Sequence, residues 1–188
     1  KNELGFKNIS NWKPDQENNS VDAVLLTGDL ANTPHPKAVL TKVKRALKRD
    51  NLVMIADVPN ADGVSAAANK QHLNSFTPET LKQMVEEAGM SVNSFEGPTK
   101  QQAPEENLSK IAESLGIDKT EGDDSKLLVE VKKALTAKIN GLAEKYGEES
   151  LTVQAGDFRD MNVDDFQAFW NTKVVSDPLL GNRMTVVA

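Results

Sequence analysis

Two segments that carry carboxylates, each directly after an apolar run, are the best candidates in this chain for ligand binding or catalysis. Gly28 and Asp29 follow the apolar run Val21–Leu26, and Asp57 follows the run 52–56 (LVMIA). Short apolar runs between polar turns are typical of strands buried on both faces of a parallel sheet. Because ligands of open parallel sheets bind at the carboxyl ends of the strands, these residues are candidates for a ligand site.

The types of these residues suit the binding of a small ligand. A glycine at position 28 lets the backbone approach a ligand closely. The Asp29 carboxylate could bind a hydroxyl or an amine of a substrate, or it could merely solvate the loop. Asp57, at the end of the second run, is the better functional candidate, whereas Asp22, inside the first run, is more typical of a structural carboxylate.

Histidine and cysteine contents argue against a metal centre. Two histidines are too few for a histidine-rich site, and the absence of cysteine excludes disulfides and thiolate ligands. His35 lies between two prolines, where we expect a solvated loop, and His72 either faces the site or is a hydrogen-bonded structural histidine. The acidic residues Glu121, Asp123 and Asp124 lack the spacing of a calcium loop, so we predict a solvated linker and no metal.

The residues between the two runs must hold the strand ends in place. From Pro36 to Lys48, apolar residues recur every three or four positions and basic residues occupy the other side, which predicts an amphipathic helix. Pro36 suits the first turn, and Lys48 with Arg49 suits the C-terminal end of the helix dipole. Strand, helix and strand with short connections predict a right-handed parallel crossover.

A second helix is predicted further along the chain. Thr77 is its expected N-cap, Pro78 its first residue and Gly89 its stop. The alternating segment Met90–Phe95 then predicts a strand, and the segment 5–10 (GFKNIS) predicts one more strand at the sheet edge. The inner stripe of the helix consists of Leu81, Met84, Val85 and Ala88.

After residue 97 the sequence predicts mainly helices. A short helix is expected over Glu105–Leu115, between two polar connectors, and Ser125 is expected to cap a longer helix, Lys126–Tyr146. The apolar stripe of the long helix covers about three heptads, so it either packs on its own domain or forms a coiled-coil seam.

The C-terminal part combines a helix with strand-like segments. Asn162 opens a predicted helix that holds Phe166, Phe169 and Trp170, and these aromatic residues are either packing residues or a partner surface. The segment 150–156 (SLTVQAG) is strand-like, and the segment 182–188 (NRMTVVA) predicts a terminal strand.

Composition restricts the partners. The formal net charge of −6 argues against nucleic acid and anionic membranes as partners, since both need a basic face. The chain has no apolar run long enough to span a bilayer and no signal-peptide pattern, so we expect a cytoplasmic location. The expected partners are a small molecule or a protein, with Lys126–Tyr146 or Phe166–Trp170 as candidate surfaces for a second copy.

Several phrases of the first hundred residues occur in a distinctive order. They are VDAVLL, the segment LKRDN after the first helix, HLNSFTPE before the second helix, and EEAGM at its end. This ordered set, over roughly residues 5–95, resembles the C-terminal half of a class I S-adenosylmethionine-dependent methyltransferase. In that family the equivalent phrases are a strand of the form xDxVxx that ends at the cofactor, LKPGG, a histidine with an FT cap, and AGF.

The resemblance implies an α/β fold: a partial Rossmann-like, methyltransferase-like parallel sheet with flanking helices, followed by a mainly helical C-terminal extension. The expected segments are an α/β domain over 1–97, a polar connector over 98–125 and a helical module over 126–188. The implied cofactor is S-adenosylmethionine, and the implied reaction is methyl transfer to a small acceptor. The implied cofactor contacts are Leu26, Thr27, Gly28 and Asp29, and the implied catalytic residues beside the acceptor are Asp57 and His72.

The chain also departs from the family pattern. It lacks the family's glycine-rich loop and the acidic residue that binds the ribose, and LKPGG is replaced by Leu47–Asn51. Two hypotheses follow. In the first, the chain is part of an active methyltransferase, with a glycine-rich segment upstream in the parent gene, and binds the cofactor poorly alone. In the second, it is a catalytically inactive scaffold or an interaction subunit of a larger assembly.

Overall fold

The computed structural model describes residues 9–11, 17–66, 72–97, 105–118 and 123–188. Within these ranges the chain forms four strands and six helices. The strands are β1 (Val21–Thr27), β2 (Leu47–Pro59), β3 (Ser94–Glu96) and β4 (Arg183–Val187). The helices are α1 (Asp29–Asn32), α2 (Pro36–Ala46), α3 (Pro78–Glu87), α4 (Leu108–Ser114), α5 (Asp124–Tyr146) and α6 (Val163–Phe169). We call residues 17–97 with 183–188 the sheet region, and residues 105–182 the helical region.

The four strands form one mixed sheet in the order β1-β2-β4-β3. The parallel pair β1 and β2, joined by α2, confirms the predicted crossover. β4 is antiparallel to both of its neighbours. The predicted terminal strand therefore exists, but it lies inside the sheet, hydrogen bonded to elements more than 80 residues earlier in the chain. The division into three sequence segments stays a prediction, and it does not anticipate this long-range pairing.

α2 begins at Pro36, as predicted, but ends at Ala46, two residues before the predicted end. The helix ends because Leu47 is extended, with φ −67° and ψ 135°, and it starts β2 at once. Val21 pairs with Leu47, whereas Ala23 pairs with Leu52. Leu47–Asn51, which stands where the family has LKPGG, therefore forms the irregular first part of β2. This arrangement needs no glycine.

α3 confirms the predicted capping. The Thr77 side chain accepts a hydrogen bond from the backbone of Thr80, and the Thr80 side chain accepts one from the backbone of Thr77. Pro78 occupies the first turn, and Gly89 follows the helix with φ +84°. Leu81 and Val85 are fully buried, as the predicted stripe requires, because α3 packs with α2 on one face of the sheet.

Two predicted strands differ from the structure. Only Ser94–Glu96 is extended and paired; earlier in that segment, Met90 is buried in the core and not part of a strand. β3 is short because it pairs only with β4, through Ser94 to Glu96. Of the predicted strand 5–10, residues 5–8 lie outside the described residues, and Ile9 and Ser10 are not in a strand.

The helical region has its own apolar core. α4 starts after Asn107, whose side chain accepts a hydrogen bond from the backbone of Lys110, and α5 starts two residues earlier than expected. Asp123, rather than Ser125, caps α5, because its carboxylate accepts from two backbone amides of the first turn. Asn162 caps α6 as predicted.

Aromatic rings fill the centre of the helical region. Phe158 lies edge-on to Phe166, with ring centroids 5.8 Å apart, and Phe166 contacts Trp170. The Trp170 indole donates to the Glu106 carboxylate at 2.8 Å. Burial raises the pKa of Glu106 above its ordinary value, and the hydrogen bond from Trp170 opposes that change.

The packing of this region bears on three other predictions. The segment 150–156 is not a strand, because Leu151 and Val153 are buried in the helical core through successive turns. The apolar stripe of α5 and the pair Phe166 and Trp170 are buried in the same core, which favours the alternative of packing within the chain for both sets. A second copy at Lys126–Tyr146 or Phe166–Trp170 stays a prediction.

Asn60, just after β2, joins the sheet region to the end of the helical region. Its side-chain amide donates to the carbonyls of Pro178 at 3.0 Å, Leu179 at 3.2 Å and Gly181 at 2.8 Å. Its own side-chain oxygen accepts from the backbone of Asp62 at 3.0 Å. Because Asn60 is buried, these bonds replace the water that its amide would otherwise need.

Asp177 organises the turn on the other side of this junction. One carboxylate oxygen accepts from the backbone and the hydroxyl of Thr152, at 2.8 and 2.7 Å. The other accepts from the backbones of Leu179 and Leu180, at 2.8 and 3.2 Å. A fully buried carboxylate with four donors is well satisfied, so the turn that leads into β4 is fixed.

A second contact joins α5 to the loop after β2. Lys145 lies 3.0 Å from Asp62, and the Tyr146 hydroxyl donates to the same carboxylate oxygen. Burial, together with this hydrogen bond, raises the pKa of Tyr146.

Within the described ranges, no helix is long and apolar enough to cross a membrane.

Candidate functional site

The end of β1 is held in an unusual backbone conformation. Gly28 has φ +70°, which favours glycine, and its amide donates to Ala56 of β2 at 3.1 Å. The Asp29 carboxylate folds back and accepts from the Thr27 amide at 2.9 Å. Leu26 is buried in the sheet core, so its side chain faces away from solvent. Thr27, Gly28 and Asp29 therefore present backbone and polar groups at the strand end.

Asp57 lies in β2 just after its pairing with β1 ends at Ala56, at an irregularity of the ladder with β4, and its backbone is strained. Its φ is +60°, a region that non-glycine residues enter at a cost on the order of 1 kcal/mol. One of its carboxylate oxygens lies 3.2 Å from Arg183 Nη1, which also donates to the Asp57 carbonyl at 3.1 Å. The other, Oδ2, is 3.7 Å from the position that a Cβ on Gly28 would take. The two strand ends predicted to meet are therefore neighbours.

His72 lies beside the same cluster, between two polar partners. Its Nδ1 is 3.2 Å from Asn32 Oδ1, and its Nε2 is 3.5 Å from Arg183 Nη2. The Asn32 amide nitrogen is identified by its donation to the Gly28 carbonyl at 3.1 Å, so the Asn32 oxygen faces His72. Since that oxygen only accepts, Nδ1 carries the hydrogen, and the Nε2 lone pair faces the guanidinium.

Sequence reasoning missed Asn32 and Arg183. No local pattern identifies Arg183, because its place depends on the antiparallel insertion of β4, where Pro59 pairs with Arg183. That pairing puts the first residue of β4 beside the last residues of β2. The predicted terminal strand 182–188, which contains Arg183, was the one signal that the sequence offered. His35, in contrast, is exposed at the start of α2, as expected for a loop histidine.

A cavity of about 470 Å³ opens next to the strand ends. Its walls come from β1, α1, α2 and the turns between them, and they combine apolar side chains with amide, hydroxyl, carboxylate and ammonium groups. Asp57 and His72 lie outside its lining, beside it. The lining residues are Leu25, Leu26, Thr27, Gly28, Asp29, Asn32, Thr33, Pro34, Val39 and Lys42.

Among the described residues, no group of three or more histidine, aspartate or glutamate side chains is arranged to hold a metal ion. The structure thus brings together Thr27, Gly28, Asp29, Asp57 and His72 at one edge of the sheet, and adds Asn32 and Arg183 to them.

Comparisons with known proteins identify the fold. No protein-family model and no curated protein matches the chain. Among solved structures, the complex between the Haloferax volcanii Trm112 methyltransferase activator and the putative methyltransferase matches with a TM-score of 0.50 and 10% identity, over 92% of this chain and 55% of that chain. A SAM-dependent methyltransferase from Archaeoglobus fulgidus matches with a TM-score of 0.41 and 15% identity, over 92% and 61%.

A third match is shorter. A SAM-dependent methyltransferase from Thermotoga maritima, described as a possible histamine N-methyltransferase, matches with a TM-score of 0.38 and 16% identity, over 44% of this chain and 42% of that chain. The chain therefore spans about half the length of the solved structures that it matches. The match with the Haloferax complex, together with the sheet and its flanking helices, confirms a class I methyltransferase-like α/β fold with a helical C-terminal region.

Proposed function

We propose that this chain is part of an S-adenosylmethionine-dependent methyltransferase that acts on a small acceptor. The observation that carries the proposal is the meeting of two parallel strand ends, Thr27–Asp29 and Asp57, beside a cavity of about 470 Å³. The carboxyl ends of parallel strands are the usual place for a ligand in this class of fold. Strain at Asp57 supports a functional role, because strained residues cluster at functional sites.

The residues beside the cavity suit one side of a nucleoside-containing cofactor. Leu25 and Val39 offer apolar surface for a flat ring, while Asn32 and Thr33 offer an amide and a hydroxyl. At Gly28, where no Cβ intervenes, the backbone could contact the cofactor closely. In this proposal Thr27, Gly28 and Asp29 hold the cofactor, with Leu26 contributing backbone only.

S-adenosylmethionine, when bound, supplies a methyl group that is already activated by a sulfonium. The chain then has to bind and orient the acceptor and exclude water, which are contributions of positioning. Asp57 is the better placed of the two predicted catalytic residues, because its Oδ2 is free of the Arg183 contact and exposed. It could accept a hydrogen bond from a hydroxyl or amine of the acceptor.

His72 has a different role in this proposal. Its Nε2 lone pair faces Arg183 and its Nδ1 hydrogen faces Asn32, so it is not free to take a proton from an acceptor. It instead positions Arg183, which holds Asp57 by its carbonyl and its carboxylate. We therefore assign acceptor binding to Asp57 and positioning to His72.

Calorimetric titration with S-adenosylmethionine and S-adenosylhomocysteine tests the proposal, on this chain and on the product of the complete reading frame of its gene. We expect micromolar binding by the complete product and weak binding by the chain alone. Absence of binding by a folded complete product would reject the proposal and support the catalytically inactive scaffold.

Two glycine substitutions provide a matched comparison. Gly28→Ala and Gly116→Ala both place a side chain at a positive φ, +70° and +73°, so both strain the backbone similarly. Only Gly28 lies at the proposed site. We expect Gly28→Ala to weaken cofactor binding at least about tenfold, the equivalent of 1.4 kcal/mol, and Gly116→Ala to leave it unchanged. Equal effects of the two would show that strain alone lowers the affinity.

A further inference from the structure

Helix α1 forms part of the cavity wall, but it is too short to be stable by itself. Its residues Asp29 and Asn32 line the cavity together with Thr33, which follows the helix. A helix of four residues satisfies almost none of its own carbonyls, and short helices gain their stability from packing. Burial of Leu30 and Ala31 holds one side of α1, so its C-terminal carbonyls need another support.

Asn74 provides that support. Its side-chain nitrogen donates to the Leu30 carbonyl at 3.1 Å and to the Thr33 carbonyl at 2.6 Å. Its backbone amide donates to the Ala31 carbonyl at 3.0 Å. Because carbonyl oxygens only accept, the nitrogen of the Asn74 side chain must face them, which fixes the orientation of that side chain. One residue therefore satisfies three carbonyls at the C-terminal end of α1.

Asn74 is itself held in place by the strand end beside the site. Two residues later, the Phe76 amide donates to the Pro59 carbonyl at 3.2 Å, and the Phe76 carbonyl accepts from the Ala61 amide at 2.8 Å. The Phe76 side chain is buried in the core of the sheet region. Residues 74–76 thus connect α1 with the end of β2, although Asn74 does not line the cavity.

We propose that Asn74 is a positioning residue of the ligand site, which fixes α1 and, through α1, the part of the cavity wall that this helix carries. Without the Asn74 side chain, two carbonyls of α1 would turn to water, and the helix would leave its place in a larger fraction of molecules. Apparent affinity falls in proportion to the fraction of molecules that are ready to bind. The effect on affinity rests on the proposed function, whereas the hold on α1 does not.

The same hold on α1 determines how Asn32 faces His72. The Asn32 side chain donates to the Gly28 carbonyl at 3.1 Å, and its oxygen lies 3.2 Å from His72 Nδ1. Displacement of α1 would separate Asn32 from His72, and Nδ1 would lose the acceptor that keeps its hydrogen there. The tautomer of His72 therefore reports on the place of α1 without any ligand.

Asn74→Ala tests the proposal, and Asn171→Ala is its matched control. The Asn171 side chain donates to the Glu106 carbonyl at 3.2 Å and accepts from the Glu106 amide at 3.0 Å. The control therefore also removes two hydrogen bonds between a side chain and the backbone, but in the helical region.

Hydrogen exchange followed by NMR compares two backbone amides of one segment. The amide at position 74 is bonded to α1, and the amide of Phe76 is bonded to the end of β2. In Asn74→Ala we expect exchange at position 74, relative to Phe76, to rise about tenfold, because α1 has lost its side-chain support. In Asn171→Ala we expect this ratio to stay at the wild-type value.

Two further measurements separate positioning from general stability. Nitrogen-15 NMR should show a larger fraction of hydrogen on His72 Nε2 in Asn74→Ala, and wild-type signals in Asn171→Ala. Calorimetric titration with S-adenosylhomocysteine, on the product of the complete reading frame, should show about tenfold weaker binding by Asn74→Ala. The same titration should show unchanged affinity for Asn171→Ala.

Several results would overturn the proposal. Unchanged exchange at position 74, an unchanged His72 tautomer, or equal effects of the two substitutions would show that α1 does not depend on Asn74. Unchanged affinity despite faster exchange would show that the place of α1 does not matter to the ligand. A wild-type product that binds no S-adenosylhomocysteine would reject only the proposed function, because exchange and tautomer are measured without ligand.

The wild-type side chain decides if Asn74→Ala fails to fold. Since the Asn74 side chain donates to two carbonyls, both of its amide hydrogens should exchange many-fold more slowly than those of exposed Asn18. Equal exchange rates at the two side chains would overturn the proposal.

Discussion

The helical region encloses its core, whereas the sheet region covers only half of its own. Around Leu135 and Trp170, helices α4 to α6 and the turns after α5 surround the apolar side chains on every side. In the sheet region, α2 and α3 cover one face, and Leu25 and Met54 remain exposed on the other. The difference shows that one chain can combine a region whose apolar core is covered with a region whose sheet exposes apolar side chains on one face.

This difference also locates the proposed site. The proposed site lies in the sheet region, next to the face that exposes Leu25 and Met54, and it consists of Thr27, Gly28, Asp29 and Asp57. None of these residues belongs to the helical core. Within the described residues, the helical region joins the sheet region at Asn60 and Asp62, and the turn after it leads to Arg183. It therefore acts on the site as a fixed support.

The largest expected effect comes from one substitution made in both regions. Leu135→Ala empties a fully buried position of the helical core and should lower the free energy of unfolding by about 3 kcal/mol. Leu25→Ala removes a mostly exposed side chain and should cost less than about 1 kcal/mol. Urea unfolding measures both. Equal losses would mean that the Leu25 side chain is packed in solution, which would contradict the difference between the two regions.

The junction between the regions gives the next effect. Asp177→Asn replaces one acceptor oxygen by an amide that faces N–H or O–H donors, so we expect a loss of about 2–3 kcal/mol. Thermal unfolding followed by circular dichroism measures it. Asp157→Asn, where the native carboxylate makes one exposed contact to Gln154, is the control and should change little. A small loss at Asp177 would show that the junction is not needed for stability.

Two glutamates predict opposite pH dependences in the two regions. Burial raises the pKa of Glu106, so the folded state binds its proton more tightly, and stability falls as the pH rises through the folded pKa. The hydrogen bond and charge of Lys37 lower the pKa of the exposed Glu87, so its contribution is present above the unfolded pKa and lost as the pH falls.

Substitution of each glutamate by glutamine measures these contributions. Glu106→Gln keeps an acceptor for Trp170 and should stabilise the protein at neutral pH relative to acid pH. Glu87→Gln should have the opposite sign. Urea unfolding at several pH values between acid and neutral would detect both trends. The same sign for both variants would contradict the assigned causes.

The smallest effect is a change of tautomer without a change in stability. Nitrogen-15 NMR of His72 should show the hydrogen on Nδ1, as required by Asn32. Arg183→Gln removes the guanidinium from Nε2 and should raise the fraction of the other tautomer, with little effect on unfolding. The ring of exposed His35 serves as the internal control. A hydrogen on Nε2 in the wild type would contradict the positioning role of His72.

Local patterns predicted the elements that depend on near neighbours. Apolar periodicity predicted β1 and the start of α2, Thr77 with Pro78 predicted the start of α3, and the structure confirms all three. The end of α2 differed because Leu47 enters the ladder with β1, which is a tertiary choice. Likewise Leu151 and Val153 alternate as in a strand, but the nearby helical core takes both side chains.

The site was predicted where it depends on strand ends. The adjacency of Gly28 and Asp57 followed from the parallel crossover, and their distance agrees with it. Arg183 was missed because its position depends on pairing across most of the chain, and Asn32 was missed because it acts through a backbone carbonyl. The roles proposed for Asp57 and His72 stay predictions until ligand binding is measured.

The central position of β4 has a consequence for the order of events on the ribosome. β3 pairs only with β4, and β4 is synthesised after the entire helical region. During synthesis, β3 therefore has no strand partner among the described residues until β4 emerges. Helices α4 to α6, whose contacts are local, can assemble before that point. Pairing of β4 would then close the sheet, bring Arg183 to Asp57 and complete the site only after the helical region has been synthesised.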